Sequence, residues 1–200
     1  MPVIGLTGCP GAGKTIVAGI LKELGAAIIS GDQIGKEVVD SSPKILNSLT
    51  KAFGAEILDD DGKLLRRKLG KIAFSSPTQM SKLDQIVHPP LLIELKRQIE
   101  AHPAVSPQGL LVVDAALIFE WGIADWFDKI ITVHAEYWLR IKRLVSSGLT
   151  EKEAQQRTDA QLNQEEKIRR ADITIENNRM VKDLGPVVKK IYQMLSSLSS

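Results

Sequence analysis

The chain of 200 residues holds a single cysteine, Cys9, so no internal disulfide can staple it. Packing and hydrogen bonds must hold it instead, and the cysteine usage suits a reducing, cytoplasmic setting. No uninterrupted apolar stretch approaches the ~20 residues of a membrane-spanning helix, and the first residues lack the basic segment and apolar run of a secretory signal. Neither sign of charge dominates: 26 Lys and Arg stand against 24 Asp and Glu, a net charge of +2. With a sequence pI near 8.6, that excess is too small to point to nucleic acid as a partner. Membrane and nucleic acid are thus set aside. What is present is ordinary for one globular domain: 44% hydrophobic and 25% charged residues, enough to fill a core and unlike a disordered chain.

Val3-Ile4-Gly5-Leu6-Thr7 reads as a short buried strand, followed by Gly8-Cys9-Pro10-Gly11-Ala12-Gly13-Lys14-Thr15. Ile16, Val17, Ile20, Leu21 and Leu24 then recur at helical spacing until Gly25 stops the helix. Ala27-Ile28-Ile29 predicts a second strand, ending at Ser30-Gly31-Asp32. Residues 33–54 and 64–101 carry broken helical patterns around the turn Asp59-Asp60-Asp61-Gly62. Pro89 and Pro90 should bend the second stretch, because a following proline pushes His88 away from α geometry. Pro103, Pro107 and Gly109 mark a loop. Leu110-Leu111-Val112-Val113, ending at Asp114, and Lys129-Ile130-Ile131-Thr132-Val133 predict two more buried strands, and Ile173-Thr174-Ile175 a brief last one. Residues 136–169 read as charged helix. Residues 180–198 form an amphipathic stripe that Pro186 should either kink or start.

Gly-x-x-x-x-Gly-Lys-Thr between a buried strand and a helix is the pattern of a triphosphate cradle. Glycines let successive backbone N–H groups point at phosphate oxygens, and the helix adds the positive end of its dipole. Lys14 brings a cation to the β- and γ-phosphates, and the Thr15 hydroxyl can ligate Mg²⁺. Five short apolar strands separated by helices imply a parallel sheet covered on both faces. The expected fold is therefore α/β: a P-loop NTPase three-layer α/β/α sandwich with a five-stranded parallel sheet, plus two helical insertions.

Asp32-Gln33-Ile34-Gly35 matches a GTPase D-x-x-G, but Asp32 follows Lys14 by only 18 positions, too few for a switch segment and a strand. An Asn-Lys-x-Asp guanine motif is absent too. At the tip of the second strand Asp32 can instead deprotonate an attacking hydroxyl, or simply cap the helix that follows. Asp114 ends its strand as a magnesium-holding acid would, and Cys9 is either a reactive thiol or a small loop filler.

These residues resemble one family. The glycine loop, Ile29 to Asp32, Leu65-Arg66-Arg67, Val87-His88-Pro89, Leu117-Ile118-Phe119-Glu120, Arg157-x-x-x-Gln161 and Ala171-Asp172-x-x-Ile175-x-Asn177 occur in the order of the dephospho-CoA kinases. The resemblance implies transfer of a phosphate from ATP, with Mg²⁺, to the ribose 3′-hydroxyl of dephospho-CoA, the last step of coenzyme A synthesis. The partners would be these two small molecules, and the enzyme a monomer or weak homo-oligomer. Segments 1–31, 104–135 and 170–200 would form the core, 32–103 a helical CoA-binding insert and 136–169 a lid. Gly8, Gly11, Ala12, Gly13, Lys14, Thr15, Ile16 and Asn177 would bind the nucleotide, with Asn177 near the adenine. Asp32 and Lys14 would be catalytic, Thr15 would carry the metal, and Asp32, Arg66, His88 and Leu117 would meet the acceptor.

The residues allow plainer readings beside these. Arg66 could be a surface arginine, and His88 a helix residue bound to backbone. His102 and His134 fit no motif and read as structural. Ser30 stands where the family usually has Asp, and Ala116 where a proline is common. The family's lid carries Gln-x-x-Arg and a second Arg four positions on; aligned on Leu149-Thr150, this chain has Leu139, Lys142 and Ser146. Arg140, Arg143 or Arg157 would have to serve, since a lysine does not replace an arginine at a forked contact. Two rivals stay open: another small-molecule or nucleotide kinase, and a nucleotide-binding member of reduced activity.

Overall fold

A computed structural model describes residues 1–102, 109–179 and 183–197. Five strands, β1 (Val3–Gly8), β2 (Ala27–Ser30), β3 (Leu111–Asp114), β4 (Lys129–His134) and β5 (Ile173–Glu176), form one sheet in the order β2-β3-β1-β4-β5. Every pairing is parallel. Parallel strands buried on both faces read as near-continuous apolar runs, which is why β1, β3 and β4 were legible; β2 and β5 are only partly buried and read from short apolar runs.

Nine α-helices lie among the described residues: α1 (Lys14–Glu23), α2 (Gly31–Asp40), α3 (Pro43–Phe53), α4 (Arg66–Ala73), α5 (Pro77–Ala101), α6 (Tyr137–Ser146), α7 (Glu151–Asp159), α8 (Gln164–Arg170) and α9 (Leu184–Ser196). Their starts are written in local chemistry. Ser42 caps α3 ahead of Pro43, Asn163 caps α8, and Thr150 with Glu153 closes a reciprocal capping box on α7. Pro186 falls in the first turn of α9, where its missing N–H costs nothing, so it sets the start of that helix and does not kink its interior. Pro103 and Pro107 of the expected loop, and the outer ends of the 180–198 stripe, lie outside the described residues.

The chain divides into two compact units, residues 1–31 with 98–200, and residues 32–97. In the first unit Ile4 and Leu6 of β1, Val112 of β3, Ile131 and Val133 of β4, and Val17, Leu21, Val188 and Leu195 of α1 and α9 share one core. On the opposite face Gly5 of β1 lies against Ile118 and Phe127. Helices α6, α7 and α8, expected as a lid, belong to this unit. Residues 98–102, expected in the insert, group here as well.

The second unit has its own core, in which Val39, Leu49, Phe53, Ile57, Leu69 and Ala73 are buried and α5 packs through Met80, Leu83, Ile86 and Val87. His88, expected off α geometry, is helical, and Pro89 and Pro90 lie inside α5. Two consecutive prolines remove two backbone donors, yet Leu91 and Leu95 are buried just beyond them. Burial of each such side chain stabilises by roughly 1.5–3 kcal/mol, enough to offset the lost hydrogen bonds. No helix among the described residues is long and apolar enough to cross a membrane.

Candidate active site

The loop of residues 8–15 joins β1 to α1, and its backbone explains its sequence. Gly11 adopts φ +77° and Gly13 φ +98°, in the left-handed region that side chains disfavour. A Cβ on Gly11 would lie 2.5 Å from the Arg140 carbonyl oxygen, and one on Gly13 2.1 Å from the Asn177 amide nitrogen. Neither position admits a side chain. Ala12 is buried in the core, and its N–H donates to the Cys9 carbonyl at 3.1 Å, closing the turn. Ile16 is exposed one turn into α1. The first N–H groups of α1 have no acceptor within the helix and face outward from its positive end.

Two side chains brace the loop from behind. Asn177, 1% exposed in the segment after β5, donates through its amide to the Ala12 carbonyl at 2.8 Å. Arg143 of α6 donates to the Gly11 carbonyl at 3.3 Å and to the Asn177 carbonyl at 2.9 Å. Burial pushes the Arg143 guanidinium below its usual range. Of the three arginines weighed for the missing lid contact, Arg143 is hydrogen-bonded to the loop at Gly11. Arg140 is 5% exposed beside Gly11, and Arg157 is half-buried on α7.

Lys14 opens α1 and forms an ion pair with Asp114 at the end of β3. Register alignment places Ser30 of β2 opposite Asp114. Thr15 is exposed on the first turn of α1. Among the described residues no cluster of three His, Cys, Asp or Glu could hold a metal by itself. The Thr15 hydroxyl and the Asp114 carboxylate are oxygen donors of the kind magnesium takes, an ion that needs few protein ligands.

The remaining candidates are placed as follows. Leu117 is half-buried in the turn after β3. In the second unit Asp32 is exposed as the second residue of α2, inside the first turn and not at the capping position before it. Arg66 donates to the Asp40 carboxylate at 2.6 Å and to the Lys36 carbonyl at 3.0 Å. His88 lies 3.4 Å from Asp84; burial holds its imidazole below the usual range despite that carboxylate, and burial also raises Asp84. Cys9 is 4% exposed, and burial pushes its thiol up against the opposing pull of Lys167 and Arg140. That environment fits the filler reading and not the reactive thiol.

The charge pattern gave no sign of Lys167. It is 0% exposed, donates to the Ala116 carbonyl at 2.6 Å, and pairs with Glu120 at 2.9 Å. Thr7 donates to the same carbonyl at 2.9 Å, while Glu120 accepts from the Leu162 N–H at 2.9 Å. The turn carrying Leu117 is thus tied to β1 and α8. In sequence Lys167 is one cation among several on a charged helix, and only tertiary contacts separate it from the solvated ones.

A parallel sheet in this order, with a glycine loop between its central strand and a helix that begins on lysine, defines a P-loop kinase. Shikimate kinase from Acinetobacter baumannii shares the fold, with a TM-score of 0.53 over 98% of this chain and 94% of that one, at 20% identity. Within that class the chain belongs to the dephospho-CoA kinase family, whose model matches residues 2–183. The dephospho-CoA kinase of Corynebacterium diphtheriae is 34% identical over 98% of both chains. The solved structure of dephospho-CoA kinase from Campylobacter jejuni superposes with a TM-score of 0.71 at 25% identity, covering 99% of this chain and 98% of that one. The activity is that of a dephospho-CoA kinase, an ATP-using phosphotransferase of coenzyme A biosynthesis.

Proposed function

We propose that residues 8–15 hold the ATP phosphates and that Asp32 is the general base toward the ribose 3′-hydroxyl of dephospho-CoA. The observation that supports the cradle is the loop itself: two left-handed glycines, braced by Asn177 and Arg143, lead into a helix whose first residue is Lys14. Lys14 leaves Asp114 to meet the β- and γ-phosphates, and Asp114 stays to orient it. Thr15 would hold Mg²⁺ through its hydroxyl, with Asp114 behind it through water. That ion, when bound, neutralises charge on the phosphate oxygens. Asn177 sits at the adenine end of the nucleotide, and Arg143 and Arg157 supply the lid cations. Arg66, His88 and Leu117 contact the acceptor. The enzyme works in the cytoplasm, as a monomer or weak homo-oligomer.

Asp32 accepts the hydroxyl proton as the oxygen attacks the γ-phosphorus in line and the bond to the bridging oxygen breaks, releasing ADP; positioning and electrostatics supply most of the rate gain. Its place two residues beyond β2, at the carboxyl end of the sheet, supports this role. Asp32→Asn should leave ATP affinity within a few-fold while kcat falls by ~10²–10⁴, the usual worth of a positioned base. Retention of kcat in that variant would assign the base elsewhere.

A further inference from the structure

Beside the glycine loop, within the first unit, lies a cavity of about 700 Å³. It is bounded by Cys9, by the start of α6, by the end of α7 and by the segment leading into α8. Of the loop residues 8–15 only Cys9 lines it, so the cavity borders the phosphate cradle without including Gly11 to Thr15. Arg140 forms part of its wall, and among the described residues its Nε and Nη1 have no hydrogen-bond partner, although the residue is only 5% exposed. The Tyr137 ring lies 5.4 Å from the guanidinium carbon, an attraction that satisfies none of the N–H donors. A buried guanidinium with idle donors costs several kcal/mol unless an acceptor meets it. Two neutral polar side chains of the lining are already engaged: Thr158 donates to the Ala154 carbonyl and Gln164 accepts from the Ala135 N–H. Cys9 is held neutral, so it offers no counter-charge.

We propose that this cavity is a second anion site, in which Arg140 receives the carboxylate or phosphate head of a small ligand other than the triphosphate of the cradle. Nε–H and Nη1–H lie on different edges of the guanidinium, so either can donate a charge-assisted hydrogen bond to an oxygen of the ligand. The mouth narrows the ligand class further. Glu136, Asp159 and Glu165 line the cavity and are exposed. Three solvated carboxylates repel an extended polyanion, so the ligand carries one compact oxyanion and a neutral or cationic remainder. The exposed Trp138 ring offers that remainder an apolar face.

The test must keep the two anion sites apart, so it begins from Lys14→Ala protein, whose cradle has lost its ammonium. Inorganic phosphate and, separately, acetate are titrated into that protein by calorimetry, and again into Lys14→Ala/Arg140→Met. The Arg140 Nε–H resonance, assigned by its disappearance in the second protein, is followed by NMR in the first. Binding of either anion that moves this resonance and weakens about 10-fold or more with methionine supports the site, as expected for loss of a charge-assisted pair. Arg140→Lys, which keeps the charge but changes the placement of the donors, should fall between. Whichever anion binds more tightly identifies the head group. Absence of binding by both anions, or binding that methionine leaves unchanged, overturns the proposal. Because Asp32 is intact throughout, the outcome is independent of its role as base.

Discussion

The side-chain amide of Asn177 reaches the carbonyl of Ala12 at 2.8 Å across 165 positions of sequence, and occupies the space where a Cβ on Gly13 would stand. Gly13→Ala therefore meets two penalties, a left-handed backbone worth ~1–2 kcal/mol and a clash with Asn177. Asn177→Ala removes the clash and leaves the backbone term. Urea unfolding of both single variants and the double should give a coupling of at least ~0.5 kcal/mol. Additive values would mean that the amide does not press on the loop.

Lys14→Ala should lower kcat/KM by ~10²-fold or more, about 2.7 kcal/mol of transition-state stabilisation. The partner test is Asp114→Asn, which leaves Lys14 without its carboxylate and should slow turnover less than the alanine change does. Steady-state kinetics with dephospho-CoA would decide this, and a wild-type rate in Lys14→Ala would remove the ammonium from the chemistry.

Arg143 holds two carbonyls at once, those of Gly11 and Asn177. Arg143→Lys should therefore behave more like Arg143→Ala than like the parent, since one ammonium does not span both acceptors. The expected effect is a several-fold or larger rise in KM for ATP, with thermal stability changed by only a few degrees. Full rescue by lysine would reduce Arg143 to a simple positive charge.

Lys167 stands between Ala116 and Glu120 with no exposure of its own. Lys167→Met leaves Glu120 partly buried without its partner, and removal of one member of a buried pair costs up to ~3–5 kcal/mol. Glu120 retains 21% side-chain exposure, so the lower part of that range is expected. Lys167→Met/Glu120→Gln should recover part of the loss in chemical denaturation. Because the turn bearing Leu117 is anchored here, KM for dephospho-CoA should rise in the single variant.

His88 gives a pH dependence with a definite sign. Burial lowers its folded-state pKa below the ordinary 6.5 despite the Asp84 carboxylate. Below pH 6.5 the unfolded chain takes up a proton that the folded chain refuses, so stability falls as pH drops through that range. Above 6.5 the effect vanishes. Unfolding free energies measured from pH 7.5 to 5.5 should decline more steeply for the parent than for His88→Gln. Parallel slopes would show that His88 titrates normally in the fold.

The glycine loop, the strand-loop-helix setting and all five strands were legible in the sequence because local rules govern them. A buried parallel strand must be largely apolar, its few polar groups hydrogen-bonded as Thr7 is, and a loop that wraps a phosphate chain must be glycine where its backbone turns left-handed or meets another chain segment. Ser42, Thr150 and Asn163 announce helix starts for equally local reasons. His88 stays helical ahead of Pro89 because burial of Leu91 and Leu95 outweighs two missing hydrogen bonds, and burial is a property of the fold. Nor could the primary structure choose among Arg140, Arg143 and Arg157. All three are arginines on charged helices, and only packing turns Arg143 onto the loop carbonyls and Arg140 into a cavity. Lys167 is the extreme case: a lysine on a polar helix reads as solvated, and its burial depends on a carbonyl 51 positions away. Chain chemistry decided which backbone shapes were available here; long-range packing decided which charges lost their water, and with it their roles.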